Sequence, residues 1–180
     1  MPGYKRIIRN NYITKTMAYK DALIAELKYE SDLTKKMLER VPVENGSWRP
    51  HEKSMNLGRL ATHVAEIPHW ISRIIVVDDW DFAVQGFSSH TAATKEELMR
   101  TFHDKLHQAI DDLETMSDED FNKTWIVRRG DQMRREMPKK IAIRGWGFSH
   151  LIHHRGQLSV YLRLLDVPVP GMYGPSADEK

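Results

Sequence analysis

The residues best equipped for chemistry are histidines. His150 and His154 lie within the run Ile143 to Leu165, which has helical periodicity throughout. On a helical wheel they stand about 40° apart, so both imidazoles point the same way, one turn from each other. Their side of the wheel carries Ile143, Trp146, Leu151, Leu158, Tyr161, Leu164 and Leu165, while Arg155, Ser159 and Arg163 occupy the opposite side. Imidazole nitrogens turned toward a core need partners, because an unpaired buried polar atom is destabilising. A metal ion is one such partner, since His at i and i+4 offers two ligand nitrogens on one face. The ordinary alternative is a pair of core histidines bonded to backbone or carboxylate. His153 falls at the edge of this face.

A third ligand decides between those readings, and the element before the midpoint supplies a candidate. From Ser54, read as a cap, a second helix runs to about Val77, with Leu60, His63, Ile67, Trp70 and Ile74 on one face. His63 is central on that face and Glu66 lies at its edge. Pro68 removes an N–H from the ladder and predicts a kink one turn beyond His63. His103 and His107 also stand one turn apart, but they fall to the flank of their own helix and read as rim residues.

Other elements must position these groups. Residues 1–16 read as polar and irregular. A first helix is expected from Met17 to about Arg40, ended by Val41-Pro42. The loop 44–53 holds Trp48, expected to pack back on the helices. Residues 78–93 read as a long connection, and Thr94-Lys-Glu-Glu97 is a capping box opening a third helix. Thr124–Val127 and Gln132–Met137, flanking Arg128-Arg-Gly-Asp131, allow a short β-hairpin before the histidine helix. After Leu165 the Pro- and Gly-rich stretch to Pro175 reads as an extended tail. Four long helices in a single domain define an all-α four-helix bundle, a fold that builds metal sites from side chains on facing helices.

Composition narrows the chemistry. Cysteine is absent, which removes disulfides, thiolate metal sites and a cysteine nucleophile. The net charge of +2 makes no demand for nucleic acid, and neither a signal peptide nor a membrane-length apolar run is visible. The expected setting is the cytoplasm.

The segments Leu57-Gly-Arg-Leu-Ala-Thr-His63 and His150-Leu-Ile-His-His154-Arg-Gly-Gln157 resemble the DinB/YfiT-like family, as do Trp48-Arg-Pro50 and Pro170-Gly-Met-Tyr-Gly-Pro175. That resemblance implies an up-down-down-up four-helix bundle, frequently a homodimer, in which three histidines hold a divalent metal, zinc or nickel. By position the ligands are His63, His150 and His154. It also implies, for some relatives, low-molecular-weight thiols as cosubstrates in transferase or isomerase reactions.

Three neutral imidazoles leave an open position at a metal, the arrangement of a catalytic rather than a closed structural site. The expected function is therefore activation of a thiol or a water for attack on a small-molecule substrate, by a transferase or hydrolase. Glu66 is the candidate general base, or the partner of an imidazole, against the plain reading of a solvated helix-edge carboxylate; Gln157 and Tyr161 share the face of the His pair and either contact a substrate or fill the core, the core being the favoured reading for Tyr161. Arg128 and Arg129 begin a basic cluster reaching Arg144, which reads as solvated surface or as a dock for an acidic cosubstrate. Nucleic-acid binding by that cluster ranks last, since no recognised motif accompanies it. The competing class is a bundle that binds metal without catalysis.

Overall fold

The computed structural model describes residues 17–86 and 88–179; the N-terminal stretch 1–16 lies outside them. The chain is mostly helical, but it is not all-α. Helix α1 spans Tyr19–Glu39, α2 Leu57–Glu66, α3 His69–Val76, α4 Phe82–Gln85, α5 Lys95–Thr115, α6 Lys139–Ala142 and α7 His150–Leu164. Strands β1 (Asp79–Asp81), β2 (Thr124–Arg129) and β3 (Met133–Pro138) form a small sheet in that order.

Helix α1 forms where expected, burying Leu23, Leu27, Leu33, Met37 and Leu38 on one face. The second helix is divided. Asn56, not Ser54, caps α2, its side chain accepting the Arg59 N–H at 2.8 Å. Pro68 cannot donate to the ladder, and the helix restarts as α3 at His69. Thr94 caps α5 by accepting the Glu97 N–H; Glu97 reaches back to the N–H of Ala93, one residue earlier than a capping box usually does. Helix α5 packs against α1, α2 and α3, and α7 packs against α2 and α1.

The hairpin forms as antiparallel β2 and β3, turning through Gly130 at φ +49°. Trp125 and Val127 alternate inward from β2. The expected connection at 78–93 instead contributes β1, which pairs in parallel with β2, and then α4. No local pattern signals that pairing, because a parallel partner sits more than forty residues away. Trp70, Trp80, Phe82 and Trp146 stack between the sheet and the helices, with ring centroids 5.1–6.3 Å apart.

The last helix departs most from expectation. Residues Ile143–Ser149 wind as a π-helical segment between α6 and α7. It packs against α3, where Gly147 lies so close that an added Cβ falls 2.6 Å from Ile71 Cγ1. The absence of a side chain there lets this segment approach α3, the helix that follows the one carrying His63. Asp166, at φ 56°, ends α7 in a left-handed turn, with the Val167 N–H bonded to the Leu162 carbonyl at 3.0 Å.

The face of α7 covered by the core is also rotated from the one read on the wheel. Leu151, Arg155, Leu158 and Leu162 are buried, an arc centred about 100° from His150. The His pair therefore flanks the core, half-buried, while Leu164 is exposed. Arg155, placed outside by the wheel, is 2% exposed, because α1 turns Glu30 and Thr34 toward it.

Candidate metal centre

His63 comes from α2, and His150 and His154 from the first turns of α7. The three side chains offer ligand nitrogens that all lie within 4.8 Å of one another. His63 Nε2 and His150 Nε2 are 3.1 Å apart. His154 closes the group, its ring centroid 4.6 Å from that of His63 and 4.7 Å from that of His150.

The π-helical segment bears directly on one ring. The His150 N–H bonds to the carbonyls of Gly145 and Gly147, passing over Trp146. The Trp146 carbonyl instead lies 3.2 Å from His150 Nδ1. A carbonyl only accepts, so Nδ1 carries the proton and Nε2 presents its lone pair. His154 is oriented in the same way: its Nδ1 lies 2.7 Å from Gln157 Oε1. Gln157, a candidate for substrate contact by sequence, thus holds a histidine ring.

Two imidazole nitrogens at 3.1 Å attract only if His63 supplies a proton there or a cation stands between them. Nitrogens bound at about 2.0–2.1 Å to one tetrahedral ion are separated by little more than this. The donor set of three neutral nitrogens therefore fits a divalent transition metal. Electrostatics agree. Burial, then the neighbouring imidazoles, lower the His63 pKa to about 3. Burial, then His154, lower His150 to about 4, and burial also lowers His154. At neutral pH all three are in the uncharged form that binds metal.

The remaining candidates fall in different places. Glu66 is near His63 but accepts from Arg59 at 3.0 Å and from Ser88 Oγ at 2.8 Å. Arg59 also donates to the His90 carbonyl, so this pair fastens Ser88 and His90 to α2. Tyr161 donates to the Met55 carbonyl at 3.1 Å and packs edge-on against Trp48, as part of the core. Arg128 pairs with Asp79 and Asp81, joining β2 to β1, and Arg129 is exposed at the hairpin turn. Further along, Arg134 pairs with Glu136, Lys139 with Asp78 and Arg144 with Glu26. Most of the basic cluster is thereby engaged within the protein.

Residues near the histidines that the sequence did not single out are Arg59, His69, Arg73 and Lys105. Their signal was weak: Arg59 and Arg73 sit on polar helix flanks, and Lys105 reads as surface on α5.

A mostly helical fold that gathers three neutral imidazoles at one opening defines a candidate three-histidine metal protein. The chain belongs to the DinB family, whose model matches residues 14–180. It is 26% identical over 159 residues to the uncharacterized protein YrdA of Bacillus subtilis, covering 88% of this chain and 90% of YrdA. Two solved structures share the fold. A DinB-like protein from Bacillus cereus ATCC 10987 superposes with a TM-score of 0.67 at 22% identity, over 85% of this chain and 97% of that one. The DinB-like protein YjoA from Bacillus subtilis gives 0.64 at 17% identity, over 88% and 99%.

Proposed function

We propose that the protein is a metal-dependent enzyme in which His63, His150 and His154 hold one divalent ion, zinc or nickel. The substrate is a small molecule, attacked either by a low-molecular-weight thiol in a transferase reaction or by water in a hydrolysis. The same reading takes α1, the α2–α3 pair, α5 and the run from α6 to α7 as the four members of an up-down-down-up bundle. The observation that carries it is the 3.1 Å approach of two Nε2 atoms, with a third imidazole beside them and no carboxylate in the group.

A divalent ion held by His63, His150 and His154 would keep its full charge and would acidify a thiol or water bound to it. The chain's own residues do the rest. Trp146 and Gln157 keep Nδ1 of His150 and His154 protonated, so that both rings present Nε2. Glu66, to serve as general base, exchanges its bond from Ser88 for one from the incoming nucleophile.

Elemental mass spectrometry on untagged protein, wild type beside His63→Ala, His150→Ala and His154→Ala, tests this. The expected result is about one divalent ion per wild-type chain, lost in each variant while helical circular dichroism persists. A wild type that stays metal-free after reconstitution with zinc and nickel overturns the reading. A metal whose removal unfolds the protein favours the alternative, a non-catalytic structural site.

A further inference from the structure

Beside His63 a cavity of about 200 Å³ opens between α2, α3 and α5, lined in part by Arg59, Glu66, Arg73, Ser88 and Lys105. Three permanent cations face it against one carboxylate, and that carboxylate is already engaged by Arg59 and Ser88. The Arg73 guanidinium lies 4.7 Å from the Trp70 ring centroid and 4.6 Å from that of Trp80, with no carboxylate paired to it among the described residues. Stacked this way, a guanidinium is held in place with its N–H edge available to a planar oxyanion. Lys105 likewise has no ion-pair partner among the described residues.

His69, Arg73 and Lys105 also line a neighbouring, more open outer chamber of about 370 Å³, where Ser72, Gln108 and Asp112 contribute. His69 Nδ1, Ser72 Oγ and Asp112 Oδ2 are buried without a hydrogen-bond partner. The carboxylates Asp104 and Asp112 lie only in the outer part, which confines an anion to the inner one.

We propose that the inner cavity is an oxyanion site, in which Arg73 and Lys105 bind a carboxylate or phosphate group of the substrate while its polar remainder fills the outer chamber. This deepens the metal-site reading and rests on it for the claim that the bound anion belongs to a substrate; anion binding itself needs no metal. It also moves the recognition of an acidic molecule away from Arg128 and Arg129, whose region is tied into the sheet.

The test is calorimetric titration of succinate and of inorganic phosphate into wild type, Arg73→Gln and Lys105→Gln, with metal content and circular dichroism measured on each. Saturable binding is expected for at least one anion, with the tighter one identifying the group. Affinity should fall about 10-fold or more in each variant, the loss of one charge-assisted contact, at unchanged metal content. Lys105 is only half-buried, so its variant remains informative if Arg73→Gln fails to fold. Unchanged affinity in Lys105→Gln, or no saturable binding of either anion to wild type up to about 50 mM, overturns the proposal. A metal-loaded wild type that binds no anion refutes this site alone. Anion binding by a protein that never takes up metal refutes the metal reading and leaves the site standing.

Discussion

His154 and Arg155 are neighbours in α7, yet they belong to opposite kinds of environment. Arg155 is buried and engaged through both terminal nitrogens: it donates to the Glu30 carboxylate at 2.6 Å, the Glu30 carbonyl at 2.9 Å, Thr34 Oγ1 at 3.1 Å and Tyr173 Oη at 2.6 Å. Tyr173 in turn donates to Glu30, tying the C-terminal stretch to α1. His154 is half-buried and left open: Gln157 takes one nitrogen, and the other faces two further imidazoles. A buried charge is tolerated when every donor is matched within the chain, and such a network then serves the fold. Nitrogens held in position but unmatched are what a ligand can use.

That contrast can be broken by substitution on either side of the helix. The largest effect is expected at Arg155. Arg155→Met strands Glu30 in the core and should lower unfolding free energy by about 3–5 kcal/mol, read from the denaturant midpoint. The double variant Arg155→Met, Glu30→Met should recover part of that loss. If the single variant is as stable as wild type, the network is not what secures the C-terminal stretch.

On the other side, Gln157→Ala should leave the denaturant midpoint within about 0.5 kcal/mol of wild type, because Gln157 is exposed. Metal affinity, measured by competition with a chelator, should nevertheless fall about 10- to 100-fold as the His154 ring loses its orientation. Equal affinities would show that Gln157 does not position the ring.

The smallest effect is a pH dependence of the metal-free protein. His63 is lowered from 6.5 to about 3, and His150 and His69 to about 4, each chiefly by burial. A depressed folded-state pKa means that the unfolded chain takes up protons first as pH falls. The contribution of these groups to stability is therefore whole above pH 6.5, declines from about 6.5 to about 4 for His150 and His69 and to about 3 for His63, and levels off below those folded values. Denaturant midpoints of chelated wild type at pH 7.5, 6 and 5 should fall more steeply than those of His63→Ala. Parallel curves would mean that His63 is protonated as easily in the folded state as in the unfolded one.

Much of the local structure was legible from residue types. Pro68 announced a kink, found as a division between α2 and α3, Thr94 the start of α5, and the hairpin around Gly130 its turn. The spacing of His150 and His154 placed both rings on one side of a helix. Less could be read of what surrounds them. The wheel assumed one uniform α-helix from Ile143, whereas the π-helical segment ends at Ser149, and the hydrophobic face was misplaced by about a quarter turn. Glu66 was legible as a carboxylate near His63, but not its capture by Arg59 and Ser88.

Helical periodicity by itself determined the relative angle of residues within each element, because that angle follows from 3.6 residues per turn and needs no knowledge of neighbours. Only the tertiary structure decided that His63 meets His150 across 87 residues of chain, that Arg155 is buried, and that Arg73 and Lys105 face one cavity. Those outcomes depend on which surfaces of α1, α3 and α5 come to cover α2 and α7. That choice is made by packing between elements distant in sequence, where no local spacing rule operates.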